Sequence, residues 1–199
     1  MSIDLEPAAR RMADLVGDID DDQLRASTPC AGTSLGALLD HVSGLSRAFT
    51  GAARKDTGEA TSSPPSADAA NLGDDWQTRI PHQLGELAGA WRNEGAWDGM
   101  TKAGDLEMPA EVAGIVALDE LVVHGWDVAK ASGQSYEVDE ESLEAVHQFV
   151  LGFAGPGQEE ERLGLFGPVV PVPDDAPLLD RVIGLTGRDP SWTPDRLTD

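Results

Sequence analysis

Hydrophobic positions recur at helical spacing in five stretches of this chain. In 3–17, IDLEPAARRMADLVG, one face carries Leu5, Ala8, Ala9, Met12, Leu15 and Val16. Pro7 is tolerable only in a first turn, so this helix is expected to begin at Asp4 or just after. A second stripe, Leu35, Leu38, Leu39, Val42, Leu45 and Phe49, follows Ser34, whose hydroxyl suits an N-cap. His41 lies at the margin of that stripe, with Asp40 turned further out. The third stripe is Trp76, Ile80, Leu84, Leu87 and Trp91; Pro81 either kinks this helix or marks its true first turn, and His82 points away. A fourth helix is predicted over 110–132, ended by Gly133 as a left-handed C-cap. Asp139 opens a fifth, DEESLEAVHQFVLGFAG, whose acidic first turn complements the helix dipole. Its His147 faces the core as a satisfied core or rim histidine.

The intervening stretches are less regular. Residues 55–73 lack any period and read as a flexible connection without a role of its own, with a lid as the alternative. The glycine-rich segment 95–110 has room for one short extended piece. FGPVVPVPDD is an extended strap, because its prolines exclude both helix and central strand. DAPLLDRVIGLTG makes a short closing helix with Pro177 in its first turn, and RDPSWTPDRLTD trails off. No repeat and no linker-like break interrupts the chain. The pattern predicts an all-α, four-helix bundle in a single domain over 1–199: a bundle core of about 3–155 and a C-terminal appendage of about 156–199.

The fourth helix raises a chemical question. With Glu120 at zero on the helical wheel, His124 falls at ~40° and an apolar arc of Ala117, Val128, Leu121, Leu118, Ala129 and Val122 follows. Asp119 and Lys130 fall on the opposite flank, where water is expected. Glu120 and His124 thus stand one turn apart at the edge of the buried arc. A carboxylate there needs a partner, because an unpaired buried charge is expensive. That partner is either His124 itself, in an intrahelical pair, or a metal. His41, at the margin of the second helix, makes three N/O donors on two helices, a set that suits a divalent ion with an open position. Asp127, one turn beyond His124, is either an outer acceptor for a ligating imidazole or an exposed helix-end residue.

Composition narrows the classes. The net charge is −22, which argues against nucleic acid or an anionic membrane surface as partner; the acidic residues read as a solvated coat. The one cysteine, Cys30, forms no intramolecular disulfide and reads as a small buried hydrophobe, with a reactive thiolate as the alternative. No secretory signal or run of eighteen apolar residues is visible, so a cytoplasmic protein is expected. Phosphate-loop, dinucleotide and nucleophile-elbow motifs are missing. Exposed Trp97, Trp126 or Val123 would supply a patch for a homodimer.

Three segments carry a family resemblance: TPCAGTSLGALLDHV, ALDELVVHGWDVAKASGQ and FGPVVPVPDDAPLLDRVIGLTGRDP. In this order they resemble small metal-binding proteins related to the N-terminal domain of mycothiol-dependent maleylpyruvate isomerase, within the DinB-like four-helix superfamily. Those proteins hold a divalent metal with a histidine late in the second helix and a Glu-x-x-x-His pair in a later one. The resemblance therefore implies His41, Glu120 and His124 as ligands, Zn²⁺ as the expected ion and Asp127 as the acceptor behind His124. It also implies a low-molecular-weight thiol as cosubstrate, activated for attack on a small electrophilic substrate, in a transferase or isomerase reaction.

The chain departs from the pattern in three places. It ends soon after Trp192, where the isomerase has a second domain. Thr33 stands where a tryptophan is expected. No arginine matches a substrate-carboxylate clamp, although Arg79 and Arg92 are candidates. A non-enzymatic metal- or small-ligand-binding module is the competing expectation.

Overall fold

The computed structural model describes residues 2–56, 66–104, 106–155, 157–162 and 164–194. Each hydrophobic stripe is a helix: α1 (Glu6–Gly17), α2 (Leu35–Arg54), α3 (Trp76–Trp91), α4 (Ala110–Ser132) and α5 (Glu140–Leu151). Pro7 occupies the first turn of α1, and the Asp4 carboxylate accepts the Glu6 N–H at 3.0 Å. Ser34 caps α2 by accepting the Ala37 N–H at 3.3 Å, and Asp139 caps α5 by accepting the Ser142 N–H at 2.9 Å. Gly133, with φ +76°, ends α4 where a left-handed residue is required.

Pro81 lies inside α3, which begins at Trp76, so it does not mark the first turn. An interior proline costs roughly 3 kcal/mol. Burial of Trp76, Ile80, Leu84, Leu87 and Trp91 on one face offsets that loss.

α1 and α2 each pack against both α3 and α4, so the bundle closes in the spatial order α1–α3–α2–α4. α5 packs outside this ring, against α4. Segment 95–110 holds two extended pieces rather than one. β1 (Met100–Ala103) and β2 (Leu106–Pro109) pair antiparallel, with Met100 opposite Pro109 and Ala103 opposite Leu106. The hairpin docks on α2 through the Thr101 hydroxyl, which donates to the Ala52 carbonyl at 2.6 Å.

The C-terminal appendage contains α6 (Glu159–Arg162), an extended strap and α7 (Leu178–Leu185), which begins directly after Pro177 and lies against α5. Arg162 ties it together, donating to the carbonyls of Phe153 (3.0 Å), Leu185 (2.7 Å) and Gly167. Gly187, at φ +88°, passes so close to Gly167 that a side chain there would meet its backbone at 2.6 Å. That crossing brings the tail back over α4.

α4 consequently has no broad solvated flank, and this overturns two expectations. Asp119 is only 5% exposed, because the residues just beyond α7 cover the side on which water was expected. Lys130 lies over the Trp126 ring and donates to the Pro190 carbonyl at 3.3 Å, away from Asp119. Trp97, Trp126 and Val123 are all buried, so they supply no patch for a second copy. Trp97 instead stacks edge-on against Trp91 and donates its indole N–H to the Trp91 carbonyl at 2.8 Å. No described helix is long and apolar enough to cross a membrane.

Candidate functional site

His41 from α2 and Glu120 and His124 from α4 converge where these helices meet. One ligand-capable atom from each lies within 4.8 Å of the other two. The His41 and His124 rings stand perpendicular with centroids 5.2 Å apart. His124 Nε2 is 3.0 Å from Glu120 Oε2, and His124 Nδ1 is 3.0 Å from Asp127 Oδ2. The one-turn spacing of Glu120 and His124 makes the first contact; the buried side of α4 makes the second.

Asp127 is fully buried, not an exposed helix-end residue. Arg188 grips it with two nitrogens, Nη2 to Oδ2 at 2.9 Å and Nε to Oδ1 at 3.3 Å, and donates Nη1 to the Thr186 carbonyl at 3.2 Å. A paired, planar guanidinium is what allows a carboxylate at this depth. The chain of contacts thus runs Arg188–Asp127–His124–Glu120, with His41 alongside.

These contacts shift the ionisations. Burial alone would push the His124 pKa down, but hydrogen bonds to Asp127 and Glu120 override it and raise the pKa to about 10. Burial would likewise raise the Glu120 and Asp127 carboxyls; the His124 hydrogen bond and nearby positive charge, from Arg188 at Asp127 above all, hold both below the usual range. Burial and the neighbouring His124 lower His41. Its Nδ1 is buried without a hydrogen-bond partner among the described residues. Asp119 is pushed up to about 8 by burial and by Glu120.

A cavity of about 410 Å³ opens onto this group. Its walls include Cys30, Leu38, Val123 and Phe166, with Asp119 and Arg188 among the polar residues. Cys30 is half-buried at the cavity wall, not enclosed as a core hydrophobe, and its sulfur lies within 4.8 Å of ligand-capable atoms of His124 and Asp127. The turn that carries it is held by Thr28, whose hydroxyl bonds the carbonyls of Thr33 (2.9 Å) and Cys30 (3.1 Å). Thr33 also lines the cavity.

The 55–73 connection contributes more than a passive link. Residues 57–65 lie outside the described segments. Beyond them Asp40 accepts the Ser66 hydroxyl at 2.5 Å and the Asp68 N–H at 3.2 Å, and Ala67 reaches the cavity wall.

Neither candidate carboxylate clamp is here. Arg79 pairs with Asp75 at 3.0 Å and bonds Ser43 at 2.6 Å, while Arg92 faces Asp4 and Glu6. The arginine at the cavity is Arg188, in the stretch expected to trail off. A lone arginine after a glycine near a C-terminus carries no periodicity, so only the chain crossing at Gly187 reveals it. Asp119 was missed for the reason already given: its flank of α4 is covered.

The family model described as the mycothiol maleylpyruvate isomerase N-terminal domain matches residues 5–129, the segment that contains α1 to α3 and nearly all of α4. The chain belongs to this family. Two uncharacterized proteins of Mycobacterium tuberculosis, one from each of two strains, are each 27% identical to it over 188 residues, covering 88% of this chain and 91% of theirs. A crystal structure of the mycothiol-dependent maleylpyruvate isomerase superposes with a TM-score of 0.64 at 16% identity, covering 92% of this chain and 86% of that one. A histidine-to-alanine mutant of the isomerase gives a TM-score of 0.58 at 17% identity, over 77% and 71% of the two chains. At that identity the solved structures establish the all-α fold, and the likeness reaches past residue 129 into the C-terminal half.

Proposed function

We propose that this protein binds a divalent metal, with Zn²⁺ the best-suited ion, through His41, Glu120 and His124, and uses it in thiol-dependent chemistry on a small electrophilic substrate. The observation that carries this reading is the convergence of these three donors, from two helices, at a 410 Å³ cavity. The donors fit such an ion: two imidazoles and a carboxylate are a borderline-soft set, and the buried Nδ1 of His41 has no partner to lose among the described residues. Family membership supports the thiol, since the family takes its description from a mycothiol-dependent isomerase.

The chain's own residues divide the work. Asp127 accepts a hydrogen bond from the Nδ1–H of His124, which leaves the Nε2 lone pair beside Glu120 free to ligate a metal. Arg188 neutralises Asp127, so that carboxylate orients His124 without taking its proton. Glu120 offsets positive charge at the site, and the apolar side chains of Leu38, Val123 and Phe166 limit water. A bound divalent metal supplies positive charge that favours the thiolate form of a thiol, the nucleophile for attack on an electrophilic carbon.

Metal analysis of purified wild type beside Glu120→Ala tests the reading. Wild type is expected to carry one equivalent of metal and the variant close to none. Equal metal in both, or none in wild type after loading, leaves Glu120 and His124 as a simple ion pair. A non-enzymatic binding module is favoured if metal is stoichiometric and His41→Ala changes no turnover of any thiol-dependent reaction of the loaded protein.

A further inference from the structure

Among the described residues, Asp119 has no hydrogen-bond partner for one of its carboxyl oxygens. The residue is 5% exposed, and that oxygen, Oδ1, is fully buried. The cation on the same wall, Arg188, has each of its three nitrogens already engaged, two with Asp127 and one with the Thr186 carbonyl. His124 is held between Glu120 and Asp127, and Lys130 is bonded to the Pro190 carbonyl. Buried polar groups are nearly always paired, and an orphan is costly enough to call for a reason. Asp119 lines the 410 Å³ cavity directly beside Glu120, so a molecule in that cavity is the partner within reach.

The neighbouring walls sharpen what that partner is. Leu38, Val123, Leu165 and Phe166 present apolar surface to the cavity. Apolar walls discriminate only weakly between ligands of similar bulk, whereas a site built to hydrogen-bond a ligand strongly rejects an analogue lacking the group. We propose that Asp119 is a specificity-determining residue that accepts a hydrogen bond from an O–H or N–H group of the thiol cosubstrate. The inference rests on the thiol-dependent reading above and assigns that site a preference for thiols bearing a donor near the sulfur.

Calorimetric titration of the Zn²⁺-loaded full-length protein tests it. The probes are 2-mercaptoethanol and N-acetylcysteamine, which carry O–H and N–H donors, against ethanethiol, which carries neither. Wild type is expected to bind the donor-bearing thiols about tenfold more tightly than ethanethiol, the size of effect one hydrogen bond to a buried carboxyl group gives. Asp119→Ala is expected to bring the ratio close to one. Asp119→Asn, which keeps an acceptor oxygen in the same shape, is expected to retain a preference, with metal content and helical circular dichroism checked in the same samples. Equal binding of all three thiols by wild type, or an undiminished preference in a folded, metal-loaded Asp119→Ala, overturns the assignment of Asp119 alone. Failure of every thiol to bind the loaded wild type overturns the thiol reading and this inference with it.

Discussion

Two histidines in this protein are buried to nearly the same extent and behave in opposite ways. His124, on α4, is 7% exposed; His147, on α5, is 8% exposed. Burial alone lowers the pKa of both. His124 nevertheless rises to about 10, because two carboxylates flank its ring. His147 stays lowered, by burial first and then by the positive charge of Arg181, whose Nη2 lies 3.3 Å from the ring Nε2. Solvent exposure does not distinguish these two imidazoles. The charge of the groups that touch them does.

The largest effect expected from this contrast concerns metal. His124→Ala should lower metal affinity by more than about 100-fold, beyond what loss of an outer partner costs, while His147→Ala leaves it unchanged. Metal-to-protein ratios after dialysis against a weak chelator measure both. Loss of metal in His147→Ala would break the comparison.

Next comes the pair behind His124. Asp127→Ala strands Arg188 and frees the His124 ring, so metal affinity should fall roughly 10- to 100-fold. The metal-free protein should lose about 3–5 kcal/mol, because one partner of a buried ion pair is left alone. Urea unfolding followed by circular dichroism reads the second quantity.

Titration should then separate the two histidines by sign. The folded pKa of His124 is raised, so its stabilisation of the metal-free protein is complete below pH 6.5 and is lost as pH rises toward about 10. A metal held by His124 would require the neutral ring, so metal affinity should climb over the same window. His147, with its folded pKa lowered, contributes stability that is present above pH 6.5 and lost as pH falls through its folded value. Unfolding free energies between pH 5 and 10 should show both limbs, and His124→Gln should flatten only the alkaline one.

The smallest effect sharpens the His147 side. Arg181→Gln removes the positive charge that disfavours protonation of His147, and the acid-side loss should shrink by less than about 1 kcal/mol. An unchanged acid-side loss in this variant would mean that Arg181 adds nothing to the effect of burial.

Much of the bundle was legible because its cause is local. The stripe of Trp76, Ile80, Leu84, Leu87 and Trp91 survives an interior proline, and Ser34, Gly133 and Asp139 terminate helices as their side chains or backbone freedom require. The wheel also placed His41, Glu120 and His124 at core edges, and the fold brings them together. Other features depend on what covers a face, which periodicity does not encode. Asp119 was assigned to water although the tail covers it; Trp97, Trp126 and Val123 were assigned to a patch although they are packed inside. The second strand of the hairpin was hidden in a glycine-rich segment without alternation.

By itself, the sequence determined the five long helices and the one-turn spacing of Glu120 and His124, because helical periodicity and capping act over a few residues. Tertiary structure decided the rest. Arg188 reaches Asp127 from 61 positions away, directly after Gly187, which passes close against Gly167. Gly167, Gly187 and Arg188 line the same cavity as Asp119, a residue read as solvated that is instead buried with one carboxyl oxygen unpaired among the described residues.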